Sequence, residues 1–502
     1  MNTLVQIPFG TLQGFEEDGV LKFYAVPFAK PPVGELRFRV PQMPEPWSGV
    51  REALEPAPNP MQRPIPPFTF ANFSEDCLYA NVFVPKDVQP GTPVIMWIPG
   101  SAFASGGVSG RKEDGGPNYN CARLAREGRC VVFAVNHRLN IFGYMNFRRY
   151  SDRFDDNLGQ LDLIQALKWI QIVAPSFCGD VNNVTVAGLS AGACAINALM
   201  MTPSAYPLFH KCIIQSSCVE SFFTVEEEDE LCRLYLDKLG LDASRVEELL
   251  EMPYEKLYAA YWRFIGPMLA KYHPSCAVGP VIDGKLVQGF PTTYDYEGLD
   301  KPFIMGSTRE EGWQQKLDYS WGLTPEDSKK RITWALQHMA PELREKLRPY
   351  YMNMEDGSPQ AMTDIMYTIT KARVAEKAGS RVPAYIYRYD YRTRGLEETG
   401  YHACHGTDHF TLFDLKTDRI CCSYEQLAAG CEEEMAAVGN SMARHWGACA
   451  ATGDPSLPDA PWPVYTPDTR YTYIFDKTDR VESDPERDVR LLFEGYDKFT
   501  RD

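Results

Sequence analysis

Two kinds of apolar run alternate along this chain. Val94-Ile95-Met96-Trp97-Ile98 and Cys130-Val131-Val132-Phe133-Ala134-Val135 are apolar at every position, which suits strands covered on both faces in the middle of a parallel sheet. Leu158 to Val173 instead carries its apolar residues at helical spacing. Asn183-Val184-Thr185-Val186 is again strand-like, and Lys211 to Gln215, Pro302 to Met305, Ala384 to Tyr389 and Tyr471 to Phe475 add further strand candidates. This alternation predicts an α/β fold with a large, mostly parallel, doubly wound central sheet and helices on both faces. The start of the chain reads differently. Residues 10 to 24, with turns at Gly10, Gly14 and Gly19, suggest a small β-meander. Pro27, Pro31 and Pro32 make the next stretch extended, and six prolines between 56 and 67 suggest a surface loop on a cleft rim. Residues 224–275 and 324–380 are mostly helical and fall between core strands. They are expected as insertions over the carboxyl edge of the sheet, within a single domain spanning 1–502.

One stretch carries chemistry. The strand from Asn183 runs into Gly188-Leu189-Ser190-Ala191-Gly192, and small apolar residues of helical type follow. Gly-x-Ser-x-Gly between a strand and a helix is the nucleophile elbow, in which a tight turn presents the serine hydroxyl at the start of a helix. The unpaired N–H groups and positive pole of that helix favour a developing oxyanion.

Composition narrows the rest. A net charge of −16 without a basic run argues against nucleic acid as a partner. Hydrophobic content of 44% and charged content of 24% fit a globular protein with a large core. Neither a membrane span nor a cationic, apolar leader is expected from the sequence. The fourteen cysteines are scattered, mostly within apolar stretches, and are expected as reduced thiols in a cytoplasmic compartment. Cys421-Cys422 with Cys431 and His445 is a poor ligand spacing, so no metal and no cofactor are expected.

Taken together, several stretches resemble the type-B carboxylesterase family. They are Pro31-Pro32-Val33-Gly34 with Leu36-Arg37-Phe38, Ser74-Glu75-Asp76-Cys77-Leu78-Tyr79-Ala80-Asn81-Val82, Asn136-His137-Arg138-Leu139 with Gly143, and Asn157-Leu158-Gly159 with Asp162 and Trp169. Gly179-Asp180 with Asn183-Val184-Thr185, the elbow, and Pro461-Trp462-Pro463 with Tyr465 complete the series in order. The resemblance implies an α/β-hydrolase fold and a serine esterase with the triad order Ser, acid, His. It puts the nucleophile at Ser190 and the base at His405, in Cys404-His405-Gly406-Thr407-Asp408, where the residues alone do not separate His405 from His402 and His409. It puts the acid at Glu311, before Gly312, with Glu310 as the competing carboxylate. The implied oxyanion donors are the N–H groups of Ser101, Ala102 and Ala191, and Phe103 and Leu189 are candidate substrate contacts.

The chain departs from the family at three places. Pro99-Gly100-Ser101-Ala102-Phe103 stands where the family usually has His-Gly-Gly-Gly/Ala-Phe, placing serine where glycine tolerates unusual backbone angles. Leu189 replaces the glutamate common beside the nucleophile, which removes a charge that would attract cationic esters. Cys77 pairs with an upstream cysteine in secreted relatives, but residues 1–76 contain none, which points to a cytoplasmic bacterial enzyme. The expected activity is hydrolysis of uncharged small-molecule carboxylic esters through an acyl-enzyme. The alternatives are a catalytically impaired scaffold protein or a lipase, and the oligomeric state is left open between monomer and homodimer.

Overall fold

The computed structural model describes residues 3–62, 72–109, 119–218, 221–271, 276–314, 336, 339–354, 357–413 and 427–494. Its centre is an eleven-stranded mixed sheet. The strands are β1 (Phe15–Glu17), β2 (Val20–Pro27), β3 (Tyr79–Pro85), β4 (Thr92–Ile98), β5 (Val131–Val135), β6 (Gly179–Leu189), β7 (Lys211–Gln215), β8 (Phe303–Thr308), β9 (Ala384–Tyr389), β10 (Tyr471–Phe475) and β11 (Arg480–Ser483). Their spatial order is 1-2-3-5-4-6-7-8-9-10-11. Pairing is parallel from β5 through β4 and β6 to β10, and antiparallel at both margins.

The uninterrupted apolar runs are explained by the two-residue period of a strand with both faces covered. Val94, Met96 and Ile98 of β4 join a cluster with Leu163, Leu167 and Ile170 of α2 (Leu158–Val173) and with α3 (Ala191–Met200). Ile95 and Trp97 face the other way, into a cluster with Leu124 of α1 (Ala122–Gly128) and Met442, Trp446 and Cys449 of α9 (Glu432–Thr452). The other helices used below are α4 (Val225–Leu239), α5 (Tyr254–Lys271), α6 (Pro341–Met352), α7 (Ile369–Gly379) and α8 (Thr407–Phe413). The first helical stretch between core strands holds α4 and α5 and is closed at its base by pairing of Phe223–Thr224 with Val281–Ile282. Of the stretch expected over 324–380, residues 324–335 lie outside the described residues, and α6 and α7 fall within the remainder.

Several of the family-like motifs turn out to be ties between segments. Arg138 binds Asp162 bidentately, at 2.9 Å from Nε and 2.7 Å from Nη2, and both residues are buried. Arg37 pairs with Glu75 and donates to the carbonyls of Leu249, Leu250 and Met252, fastening the extended proline segment to the chain ahead of α5. The proline-rich stretch differs from the surface loop expected of it, because Asn59 and Gln62 are buried. Their amides bracket the backbone of residues 106–109: Gln62 spans Gly106 and Asn59 spans Ser109. Residues 63–71 lie outside the described residues.

The twelve cysteines among the described residues are unbridged. Cys77 is buried, and burial pushes its thiol well above the usual range. His445 is held between the Pro455 carbonyl, 2.7 Å away, and the Tyr473 hydroxyl, 3.0 Å away, and so has a packing role. Cys421 and Cys422 lie outside the described residues, within which no group of His, Cys, Asp or Glu is arranged to hold a metal ion. Nor is any described helix long and apolar enough to cross a membrane.

One buried acid makes a prediction about stability. Helix α4 opens with a capping box between Thr224 and Glu227, and the next residue, Glu228, is buried. Glu228 is 3% exposed, and one of its oxygens accepts from the Asn146 N–H at 2.9 Å and from the Cys232 thiol at 3.4 Å. Burial pushes its carboxyl up to about 8 from 4.5. Between those values the folded chain retains a proton that the unfolded chain releases, so this residue's contribution to stability falls as pH rises from 4.5 to 8. Integrated over that window, the effect is at most about 5 kcal/mol. Denaturant melts of wild type and Glu228→Gln from pH 5 to 8.5 are expected to diverge, with the variant gaining relative stability toward high pH.

Candidate active site

The elbow is set by contacts between backbones. Ser190, between β6 and α3, has φ 57° and ψ −121°, a region that costs a non-glycine residue on the order of 1–3 kcal/mol. A methyl group on Gly188 would lie 2.8 Å from the Ile98 carbonyl oxygen, and one on Gly192 would lie 2.2 Å from the same atom. Gly100 is equally restricted, with the Leu189 carbonyl oxygen 2.8 Å from any added methyl. The strained turn therefore packs directly on the end of β4, where the next loop begins. The Ser190 N–H donates to the Gln215 carbonyl at the end of β7 (2.8 Å), and the Cys194 N–H closes onto the Ser190 carbonyl (2.9 Å).

Three strand ends bring three side chains together. Ser190 Oγ lies 2.8 Å from His405 Nε2, and His405 Nδ1 lies 2.5 Å from Glu311 Oε2. Glu311 follows β8 and is buried. Its other oxygen accepts from the Thr308 N–H at 2.7 Å and the Ser216 hydroxyl at 2.6 Å. His405 precedes α8, which is anchored below it. Asp408 Oδ2 accepts from Gln215 Nε2 and Tyr387 Oη, each at 3.1 Å, while Trp446 Nε1 donates to Gln215 Oε1 at 3.0 Å.

The rival residues are placed elsewhere. His402 faces the Trp313 ring and lies 3.6 Å from Glu397. His409 is buried against Phe410 and Tyr119. Burial pushes His137 down to about 3 and His445 down to about 4, so both stay neutral. Glu310 binds Arg392.

Residues 101–103 form the loop after β4. Ser101, Ala102 and Phe103 all have positive φ, at 98°, 55° and 57°. Asn140 holds this turn, its N–H donating to the Phe103 carbonyl at 2.6 Å and its side-chain amide to the Ala104 and Met61 carbonyls. Farther along, Asn136 Oδ1 accepts from the Val108 N–H and Asn81 Nδ2 donates to the Val108 carbonyl. The backbone N–H groups of Ser101 and Ala102 have no acceptor among the described residues, and that of Ala191 sits in the unpaired first turn of α3. Phe103 is buried, its ring 4.4 Å from that of Tyr144. Leu189 is buried in the cluster containing Trp97.

Two further groups at the site carry no signal in the linear pattern. Ser216 has φ 51° and follows β7 directly. Tyr367 lies in a π-helical turn, Thr363–Thr368, with its ring 5.2 Å from that of His405. The same turn holds the residue after Glu311, since the Gly312 N–H donates to Thr363 Oγ1 at 2.9 Å.

A central sheet of this order with a serine elbow at the end of β6 defines an α/β-hydrolase. Comparison with known proteins then specifies the family. The profile of the Carboxylesterase family matches residues 1–490. The para-nitrobenzyl esterase of Bacillus subtilis is 30% identical over 501 residues, covering 97% of each chain. The phenmedipham hydrolase of Pseudarthrobacter oxydans is 30% identical, with 91% of this chain and 92% of the relative covered. Among solved structures, a PNB esterase superposes with a TM-score of 0.83 at 30% identity, covering 98% of this chain and all of its own. A Geobacillus stearothermophilus carboxylesterase superposes with a TM-score of 0.82 at 29% identity, over the same shares of the two chains. The chain belongs to the carboxylesterase family and is a carboxylic ester hydrolase.

Two backbone positions, Gly192 by close approach and Ser101 by its φ, make opposite predictions. Gly192→Ala drives a methyl group into the Ile98 carbonyl and is expected to cost at least about 2 kcal/mol, with most of the activity lost. Ser101→Gly relieves a positive φ and is expected to raise stability by about 0.5–1 kcal/mol, with kcat within about threefold of wild type. Thermal melts and p-nitrophenyl acetate turnover check both, and a hundredfold loss in Ser101→Gly would show that the hydroxyl itself serves the reaction.

Proposed function

We propose that the protein hydrolyses uncharged carboxylic esters through an acyl-enzyme, with Ser190 as nucleophile, His405 as general base and acid, and Glu311 as the carboxylate that orients the base. The observation that carries this reading is the continuous path from Ser190 Oγ through the two ring nitrogens of His405 to Glu311, at 2.8 and 2.5 Å. In that arrangement His405 Nδ1–H donates to Glu311, which leaves Nε2 as the acceptor for the serine proton. Ser190 attacks the ester carbonyl carbon while its proton passes to Nε2. The N–H groups of Ser101, Ala102 and Ala191 receive the developing negative charge. They are suited to this because two have no acceptor among the described residues and the third belongs to a helix start. Collapse of the tetrahedral intermediate expels the alcohol, protonated by His405, and water repeats the sequence to release the acid.

Glu311 is kept in register by Thr308 and Ser216, which occupy its second oxygen and leave the first for the imidazole. Leu189 leaves no carboxylate beside the nucleophile, which supports uncharged rather than cationic substrates. Phe103 and Leu189 serve this reading as packing behind the oxyanion loop and the elbow. We read the chain as one catalytic domain carrying the helical insertions. The unbridged cysteines and the bacterial esterase relative support work in a reducing bacterial cytoplasm.

Ser190→Ala and His405→Ala are each expected to lower kcat by about 10⁴-fold or more with melting unchanged, and Glu311→Gln by less, because triad members act as a unit. Turnover of p-nitrophenyl esters of rising chain length measures this and sizes the acyl pocket at once. Full activity in Ser190→Ala would refute the mechanism.

A further inference from the structure

Glu310 is the carboxylate that competes with Glu311 in the sequence, and the fold gives it a separate task. Its residue is 8% exposed. One oxygen pairs with Arg392 and lies 3.5 Å from Arg309 Nε. The other accepts the Ala403 N–H at 3.2 Å. The Glu310 N–H in turn donates to the Ala403 carbonyl at 3.0 Å, and one step along, the His405 N–H donates to the Glu311 carbonyl at 3.2 Å. The acid loop and the base loop are thus laced together rung by rung, with Glu310 holding both the N–H and the carbonyl of Ala403, two residues before the imidazole. Arg392 sits just beyond β9 and also binds Glu397 at 2.9 Å, so the clamp is tied to a third strand end. Arg309 reaches Asp390, beyond the same strand, at 3.4 Å.

We propose that Glu310 is a positioning residue for the general base. It holds Ala403 so that the His405 ring meets Ser190 and Glu311 at the same time, and Arg392 anchors the clamp. The inference rests on the reading of His405 as base. Residues 309–310 and 400–406, where the two loops meet, belong to no helix or strand, and a charge-assisted hydrogen bond in a largely dry position is a stiff tie between them. With Arg392 and Arg309 opposite it, the Glu310 charge is matched, so its effect on His405 is exerted through geometry. Misplacing a reacting group by about 1 Å typically costs on the order of a hundredfold in rate.

The test measures kcat, KM and the downfield proton resonance of the His405–Glu311 hydrogen bond in Glu310→Ala, Glu310→Gln and His405→Ala beside wild type. Glu310→Ala is expected to lose about 10- to 100-fold in kcat with KM within about threefold, and its downfield resonance is expected to broaden. Glu310→Gln, which keeps an acceptor for the Ala403 N–H, is expected to recover most of the loss. Wild-type kcat in Glu310→Ala, or a reduced kcat with a sharp unshifted resonance, would overturn the clamp. Should Glu310→Ala not fold, Arg392→Gln takes its place, with a smaller loss in kcat and a broadened resonance expected and wild-type values again decisive against the proposal. If His405→Ala stays active, the reading of the base itself has failed. If His405→Ala is dead while Glu310→Ala matches wild type, only the clamp has failed.

Discussion

The structure depends on one steric contact, the seating of the elbow against the end of β4. Gly188, Gly192 and Gly100 meet backbone atoms of the opposing segment so closely that no side chain fits between them. This contact holds Ser190 in a conformation it would not adopt alone, because relaxing the turn means separating β6 from β4 in the middle of the sheet. It also ties Ser190 to the loop that begins at Pro99. The position of the serine and that of the Ser101–Phe103 turn are therefore a single structural variable.

Around that contact, the site is assembled from strand ends with little help from regular structure. β4 leads to the Ser101–Phe103 turn, β6 to Ser190, β7 to Ser216, and β8 to Glu311. In a parallel sheet all these ends point the same way, which is why their loops converge. Irregular loops need ties, and here the ties are amides and carboxylates. Asn59, Gln62, Asn81, Asn136 and Asn140 fasten the loop after β4, each satisfying backbone groups that would otherwise be buried unpaired. Arg138–Asp162 and Arg37–Glu75 hold the flanking segments. Much of what made the sequence look like a carboxylesterase is this fastening. The motifs outside the elbow are mostly structural ties that keep the loops at the strand ends in place.

Legibility in the sequence follows from how local each feature is. The core strands β7, β9 and β10 were readable to the residue, and α2 likewise, because short β-branched and aromatic stretches rich in apolar residues mark buried strands and apolar residues at helical spacing mark a packed helix. β11, a polar margin strand, writes neither and was not anticipated. The proline-rich segment misled for a related reason. Asn59 and Gln62 look solvent-seeking until it is seen that the loop at 106–109 supplies their partners. Glu310 beside Glu311 and His402 near His405 could be ranked only by family resemblance, because neighbouring residues share a composition and a loop.

By itself, then, the sequence determined the strand and helix periods, the elbow with its paired glycines, and the scarcity of any alternative chemistry, all of which are properties of neighbours along the chain. Tertiary structure decided which of two adjacent glutamates faces the His405 imidazole and which grips Ala403, that Ser216 and Thr308 share the second oxygen of Glu311, and that Tyr367 lies beside His405. Those relations join residues nearly a hundred positions apart or more in several cases. They are set by the order in which strands enter the sheet and by the angles at which their ends leave it, and neither leaves a mark on the local sequence.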